Sequence, residues 1–331
     1  MNGQDLTRAD ILYRYLGDHV SDGWDSLYQK RCDKAQGYSA LCQGLSTEMS
    51  LGIRLFEIAK LLHQSIFVNG CLVNMETWPN CTESRLVKLE RIEQGYLRSI
   101  LKAHSKTAIE ALYLELGVVP LRFHLMKRRV LYLHDITNRN EDELVKKIVW
   151  AQKECCCSGD FYAQVKENMD QLQITSDMLL GSKEKLKDKL DIAVKREAFQ
   201  YLIAMADKHS KTRNILYQNC NGSEYFQHPE FTPHLANILF KFRTRTYMVK
   251  NNFRNNYRNT NIICPLCEAN DDTQEHFMKC FKIRQLYQHK IQCKYEDIYS
   301  QSREALLRVA TTLNELTQIR KELLSKPSET I

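Results

Sequence analysis

The 331-residue sequence predicts a mainly α-helical protein, with a short β fragment at its front and a small module of cysteine and histidine late in the chain. Three observations predict it. Apolar residues recur at helical spacing over most of the chain, with only 12 Gly and 6 Pro to interrupt them. No alternation of strand and helix is present that would build a parallel sheet. The hydrophobic fraction, 43%, is enough to bury a core.

Taken in order, Asp10 to Asp18 (DILYRYLGD) is aromatic and β-branched enough for a strand, with Gly17 and Gly23 marking turns. Residues 52–73 carry Ile53, Phe56, Ile58, Leu61, Leu62 and Ile66 close to helical spacing. Residues 83–102 repeat the pattern through Leu86, Leu89, Ile92, Tyr96, Leu97, Ile100 and Leu101, with Thr82 placed to cap the helix. Residues 108–136 divide at Gly117-Val-Val-Pro120: Gly117 suits a left-handed C-cap and Pro120 the opening of the next helix. Residues 183–211 and 303–326 are amphipathic helices, the first rich in Lys with Asp and Glu among them, the second stopped by Pro327. Residues 218–234, with Asn, Gly, Ser and two Pro, are the expected linker. Five consecutive parts follow: 1–24, 25–150, 151–235, 236–292 and 293–331.

No apolar run approaches the roughly 18 residues that a membrane span needs. The longest, Leu51 to Val73, is interrupted by Arg54, Glu57, Lys60, His63 and Gln64. The N-terminus has neither a basic start nor an apolar signal core. Twelve Cys, including the run Cys155 to Cys157, do not form the dense framework of a small secreted domain. The expectation is an intracellular chain, nuclear and/or cytoplasmic, with mostly free thiols and no membrane partner.

The net charge of +7 is concentrated. Residues 236–292 hold ten Lys and Arg against four acids and so net +6. Within them, Phe240 to Arg258 reads FKFRTRTYMVKNNFRNNYR: six bases interleaved with five aromatics and four Asn, with no acid. Bases neutralise phosphates and aromatic faces stack unpaired bases. The expected contacts with RNA and/or DNA are Lys241, Arg243, Arg245, Tyr247, Lys250, Phe253, Arg254, Tyr257 and Arg258. Lys127, Arg128 and Arg129 offer a second set of phosphate contacts.

Cys264-x2-Cys267-x8-His276-x3-Cys280 follows at once. A Cys-x2-Cys pair sets two thiolates on one turn, and residues four apart share a helix face. Three thiolates and one imidazole close a tetrahedron, the arrangement of a structural Zn2+. His289-x3-Cys293 repeats the last spacing and is an alternative source of two ligands. Asp271-Asp272 is read as a solvated turn inside the loop. Glycine-rich nucleotide loops, His-Glu-x-x-His and Gly-x-Ser-x-Gly are all absent, and no residue is assigned a catalytic role.

Three blocks resemble the C-terminal part of non-LTR (LINE-like) retrotransposon reverse transcriptases. Arg14 to Gly23 (RYLGDHVSDG) is similar to the primer-grip hairpin that follows the palm. Ala111 to Ile136 (ALYLELGVVPLRFHLMKRRVLYLHDI) is similar to a stretch of the thumb and the helices after it. The basic segment leading to CPLC and DTQEHFMKC is similar to the terminal CCHC zinc knuckle, although the family more often has four residues between the last two ligands. The resemblance implies a helical thumb/linker bundle with a zinc-knuckle module, holding template–primer or target nucleic acid. It does not extend to fingers and palm: the Tyr/Phe-x-Asp-Asp motif that binds Mg2+ in the full polymerase is missing from these residues. The expectation is therefore a non-catalytic fragment carrying structural zinc. The alternatives are a retroelement-derived protein-interaction module using helices 183–211 and 303–326, and a polymerase completed by a palm supplied in trans. Thumb helices separated from their palm would also self-associate through exposed faces.

Overall fold

The computed structural model describes residues 13–15, 18–20, 24–49, 54–78, 82–155, 157–213, 215, 217, 221–257, 261–287 and 293–325. The protein is mainly helical. A short antiparallel pair, β1 (Tyr13–Tyr15) and β2 (Asp18–Val20), is in register Tyr13 to Val20. The helices are α1 (Trp24–Met49), α2 (Leu55–Leu62), α3 (Asn69–Cys71), α4 (Glu83–Ile100), α5 (Ile109–Leu116), α6 (Leu121–Thr137) and α7 (Leu144–Cys155). After them come α8 (Phe161–Leu172), α9 (Lys183–Ala206), α10 (Pro233–Arg243), α11 (Gln274–Lys279), α12 (Phe281–Leu286) and α13 (Arg303–Ser325). A π-helical turn, His63–Val68, joins α2 to α3.

The expected helices form among the described residues; Pro327, read as the stop of the last, lies outside them. Gly117 caps α5 in the left-handed region, with φ at 69°, and Pro120 stands before the first turn of α6. A Cβ on Gly117 would lie 2.2 Å from the backbone of Asn221, so only glycine fits there. Helix α9 ends at Ala206, short of Lys211, where the Thr212 hydroxyl reaches the Ala206 carbonyl at 3.0 Å. Helix α1 is 26 residues long and carries almost no hydrophobic signal. Its buried stripe, Tyr28, Arg31, Cys32, Ala35, Ser39, Cys42 and Ser46, has helical spacing but is built from small and polar residues.

Contacts divide the chain into two compact units, each drawn from three segments, and not into the five consecutive parts read from the sequence. The first unit takes Met1–Cys42, Leu62–Tyr96 and Pro120–Glu197. Helix α6 is its axis, burying Leu121, Phe123, Leu125, Val130, Leu133 and Ile136 against α7, α8 and short 3-10 turns. The buried Glu93 carboxylate accepts from the Leu121 N–H (3.2 Å), which places a negative charge at the N-terminus of α6, and holds His63 Nε2 at 2.8 Å.

The second unit takes Gln43–Leu61, Leu97–Val119 and Ala198–Ile331. In it α10 packs along α13, burying Leu239, Phe240 and Phe242 against Val309, Ala310, Leu313 and Leu316. Thr232 caps α10, its hydroxyl accepting from the Leu235 N–H, and Pro233 opens the helix. Two expectations are corrected here. The segment read as linker is core: Phe226 is 3% exposed and meets Phe56 at 4.5 Å and Phe240 at 6.0 Å between ring centres. The apolar face of α13, which the alternative protein-interaction reading would offer to a partner, is buried inside the unit.

Candidate metal centre and basic segment

An isolated bridge between Ile263 and Asp271 closes the loop that carries the first two cysteines. The Cys264 N–H donates to the Asn270 carbonyl, and the Asp272 N–H to the Ile262 carbonyl, both at 2.8 Å. Inside the loop the Glu268 N–H donates to the Cys264 carbonyl at 3.0 Å, tightening the Cys264-Pro-Leu-Cys267 turn. Thr273 then starts α11, its hydroxyl accepting from the His276 N–H at 2.9 Å. Cys280 follows one turn after His276, as the helix ends.

Together these turns bring four ligand atoms within 4.8 Å of one another. The Sγ atoms of Cys264 and Cys280 are 3.9 Å apart, and Cys267 Sγ is 3.3 Å from His276 Nε2. Bonds of about 2.3 Å to sulfur and 2.0 Å to nitrogen in a tetrahedron require separations of roughly 3.5–3.8 Å. The donor set and its spacing fit a metal ion such as zinc. Burial pushes the Cys280 thiol up to about 11. Burial also opposes ionisation of Cys267, but the Ala269 N–H and the neighbouring thiol of Cys264 hold it below the usual thiol range. Cys293 stands apart from this group, beside Thr312, and His289 lies outside the described residues.

The module is tied into the second unit by groups that the motif does not show. Asp272, expected in a solvated turn, is fully buried, while Asp271 is exposed. Both oxygens of Asp272 face Arg320 of α13, at 2.9 and 2.8 Å, and Oδ2 also accepts from the Lys250 N–H. Gln274 donates to the Phe242 carbonyl at 3.1 Å. Phe277 is enclosed by Phe242, Tyr247 and the Arg320 guanidinium. Arg320 gives no local signal, because it sits 48 residues from its partner.

The basic segment is largely turned inward, which corrects several expected nucleic-acid contacts. Arg243 is 4% exposed; its Nε donates to Glu115 at 3.1 Å and its Nη1 to the Ile298 carbonyl at 2.6 Å. Glu115 also accepts from the hydroxyls of Tyr217, Ser223 and Tyr225. An acid inside the apolar run ALYLEL is the sequence signal for this hub. Tyr247 stacks on Phe242 at 4.2 Å, and its hydroxyl bonds with that of Thr317. Phe253 is buried under His104. Arg245 pairs with Glu275 at 3.0 Å, and Lys250 Nζ donates to the Ile263 carbonyl at 3.1 Å.

Lys241 is half-buried and makes no ion pair among the described residues. Arg258 and the side chains of Arg254 and Tyr257 lie outside the description. In the first unit, Lys127 is ion-paired with Asp191, and Arg128 donates to the Leu72 carbonyl and to Asn69 Oδ1. Arg129 is buried on the Trp78 carbonyl and Gln164. These three side chains tie the unit together and do not form a free phosphate-facing row.

No helix of the described residues is long and apolar enough to cross a membrane. No protein-family model, curated protein or solved structure matches the chain.

Proposed function

We propose that this chain is a non-catalytic, zinc-carrying part of a non-LTR retrotransposon reverse transcriptase that binds RNA or DNA through its thumb-like helices and knuckle. One observation carries the reading: Cys264, Cys267, His276 and Cys280, which supply the resemblance to the terminal knuckle, converge on one point at metal-binding distances. Three thiolates and an imidazole favour Zn2+ over harder ions, and four protein ligands leave no open position for chemistry. Zinc would hold the loop and α11 together, a structural role in a segment too short to have a core of its own.

Around that centre, Lys279, Lys282 and Arg284 are exposed and supply positive charge to the same module. Cations on a surface attract a polyanion without reading its sequence, and the binding weakens as salt rises. The test is fluorescence anisotropy of labelled structured RNA and of DNA with the zinc-loaded chain, across a salt series. Binding whose logarithm falls linearly with the logarithm of salt is the expected result. Failure to bind at low salt overturns the reading. Nucleotide incorporation by the chain alone, with Mg2+ or Mn2+, overturns its non-catalytic part.

A further inference from the structure

We infer that His104 and Lys211, which meet at Phe253, form with Lys102, Lys241 and Lys321 a binding site for the phosphodiester backbone of a nucleic acid. The inference rests on the nucleic-acid reading above; of the Phe240 to Arg258 stripe it keeps Lys241, and it adds residues spread over much of the second unit. Lys102 and His104 follow α4, Lys211 lies in the turn after α9, Lys241 is on α10 and Lys321 on α13.

Geometry brings the first two together, and charge interactions tie Lys241 to His104, Lys102 and Lys321. Phe253 is 4% exposed, with the His104 ring 4.6 Å from its own, centre to centre. The ammonium groups of Lys211 and Lys106 lie 5.8 and 5.9 Å from the Phe253 ring centre. One buried ring therefore carries an imidazole and two ammonium ions. Lys102, Lys211, Lys241 and Lys321 make no ion pair among the described residues. Elsewhere Lys127, Lys146 and Lys183 each have a carboxylate.

The electrostatics agree. Burial first, and then Lys106, holds Lys211 below the usual ammonium range. Burial, then Lys102 and Lys321, does the same to Lys241. His104 is depressed by burial and then by Lys106, Lys211, Arg98 and Lys241. The charges that act most strongly on these three groups are positive. Such an array is self-repelling when empty, and an anion placed among its members is attracted by all of them.

The chemistry selects a backbone over bases. Ammonium groups act as point charges toward phosphate oxygens, whereas the aromatic face that could stack a base is already covered by cations. Lys211 and Lys241 are half-buried, which suits a projecting phosphate better than a flat lipid surface.

The experiment compares three zinc-loaded proteins binding a labelled 20-nucleotide RNA over a salt series. They are the wild type, the cluster variant (Lys102→Gln, Lys211→Gln, Lys241→Gln, Lys321→Gln) and a control of equal net charge (Lys185→Gln, Lys187→Gln, Lys189→Gln, Lys195→Gln). With a slope of about 0.7 per phosphate contact on a single strand, the cluster variant should lose roughly 3 units of slope and the control almost none. Wild-type binding with an unchanged slope in the cluster variant overturns this site and leaves the nucleic-acid reading standing. Equal losses in both variants also overturn it, by making the effect one of net charge. No binding by the wild type overturns both readings. Anionic phospholipid vesicles that displace the RNA from the wild type, but do not bind the cluster variant, would reassign the site to membrane. A readout on the unmodified protein stands beside these: RNA should raise the NMR titration midpoint of His104, and an unmoved midpoint overturns the site.

Discussion

The metal centre and the basic segment are neighbours in the chain, and they teach opposite lessons. Cys264 to Cys280 does what its spacing says, because all four ligands lie within seventeen residues and local turns suffice to aim them. Phe240 to Arg258 looks like a polyanion surface when its charges are counted, yet Arg243 is consumed by Glu115, 128 residues away. Arg245 is engaged by Glu275, and Phe253 and Tyr247 are covered by other side chains. A ligand set is a local property. Whether a cation is free depends on where every acid of the unit ends up.

The comparison breaks most visibly at the metal. Structural zinc contributes apparent binding free energies of about 10–16 kcal/mol, so Cys264→Ser should abolish stoichiometric zinc by elemental analysis and disorder residues 261–282 in an amide NMR spectrum. Because Phe277 and Asp272 are built into the unit, the melting temperature of the second unit should fall as well. An unchanged melt would mean that the knuckle is a free appendage.

Next comes Arg243→Gln, which strands the buried Glu115 charge. It should cost about 3–5 kcal/mol in denaturant unfolding while leaving the salt slope of nucleic-acid binding intact. A lowered slope with wild-type stability would return Arg243 to the surface role that the sequence suggested. Arg245→Gln removes a half-exposed pair and should cost no more than about 1 kcal/mol.

The smallest effect is a pH dependence. His104 has its pKa lowered by burial and then by Lys106 and Lys211, so the unfolded chain takes up its proton first as pH falls. Its contribution to stability is complete above about pH 6.5 and declines as pH falls below that value. A His104 midpoint at or above that of free imidazole would remove the positive neighbourhood on which the lysine cluster depends.

Most helices were legible because glycine, proline and apolar spacing act within a few residues. Gly117 and Pro120 marked the α5–α6 break, and Leu86 to Leu101 outlined α4. Helix α1 was not legible, since Arg31, Ser39 and Ser46 occupy its buried stripe where a reader looks for leucine. The metal ligands were legible, but the buried Asp272–Arg320 pair behind them was not, because a short acidic run looks the same in a loop or in a core. Of the lysine cluster only Lys241 was legible, because its other members, Lys102, His104, Lys211 and Lys321, are spread over some 220 residues.

Arg320 grips Asp272, only one residue before the Thr273 cap that aims His276, and so would make a metal ion held by the cluster and α13 thermodynamic partners. Whatever free energy such an ion would add to the docking of α13, the docked helix would add to the binding of the ion. A peptide of residues 261–287 carries all four ligands, but it should hold zinc more weakly than the full chain does. The ratio of the two affinities would measure, without any mutation, how much a metal ion near residue 270 strengthens the attachment of a helix near residue 320.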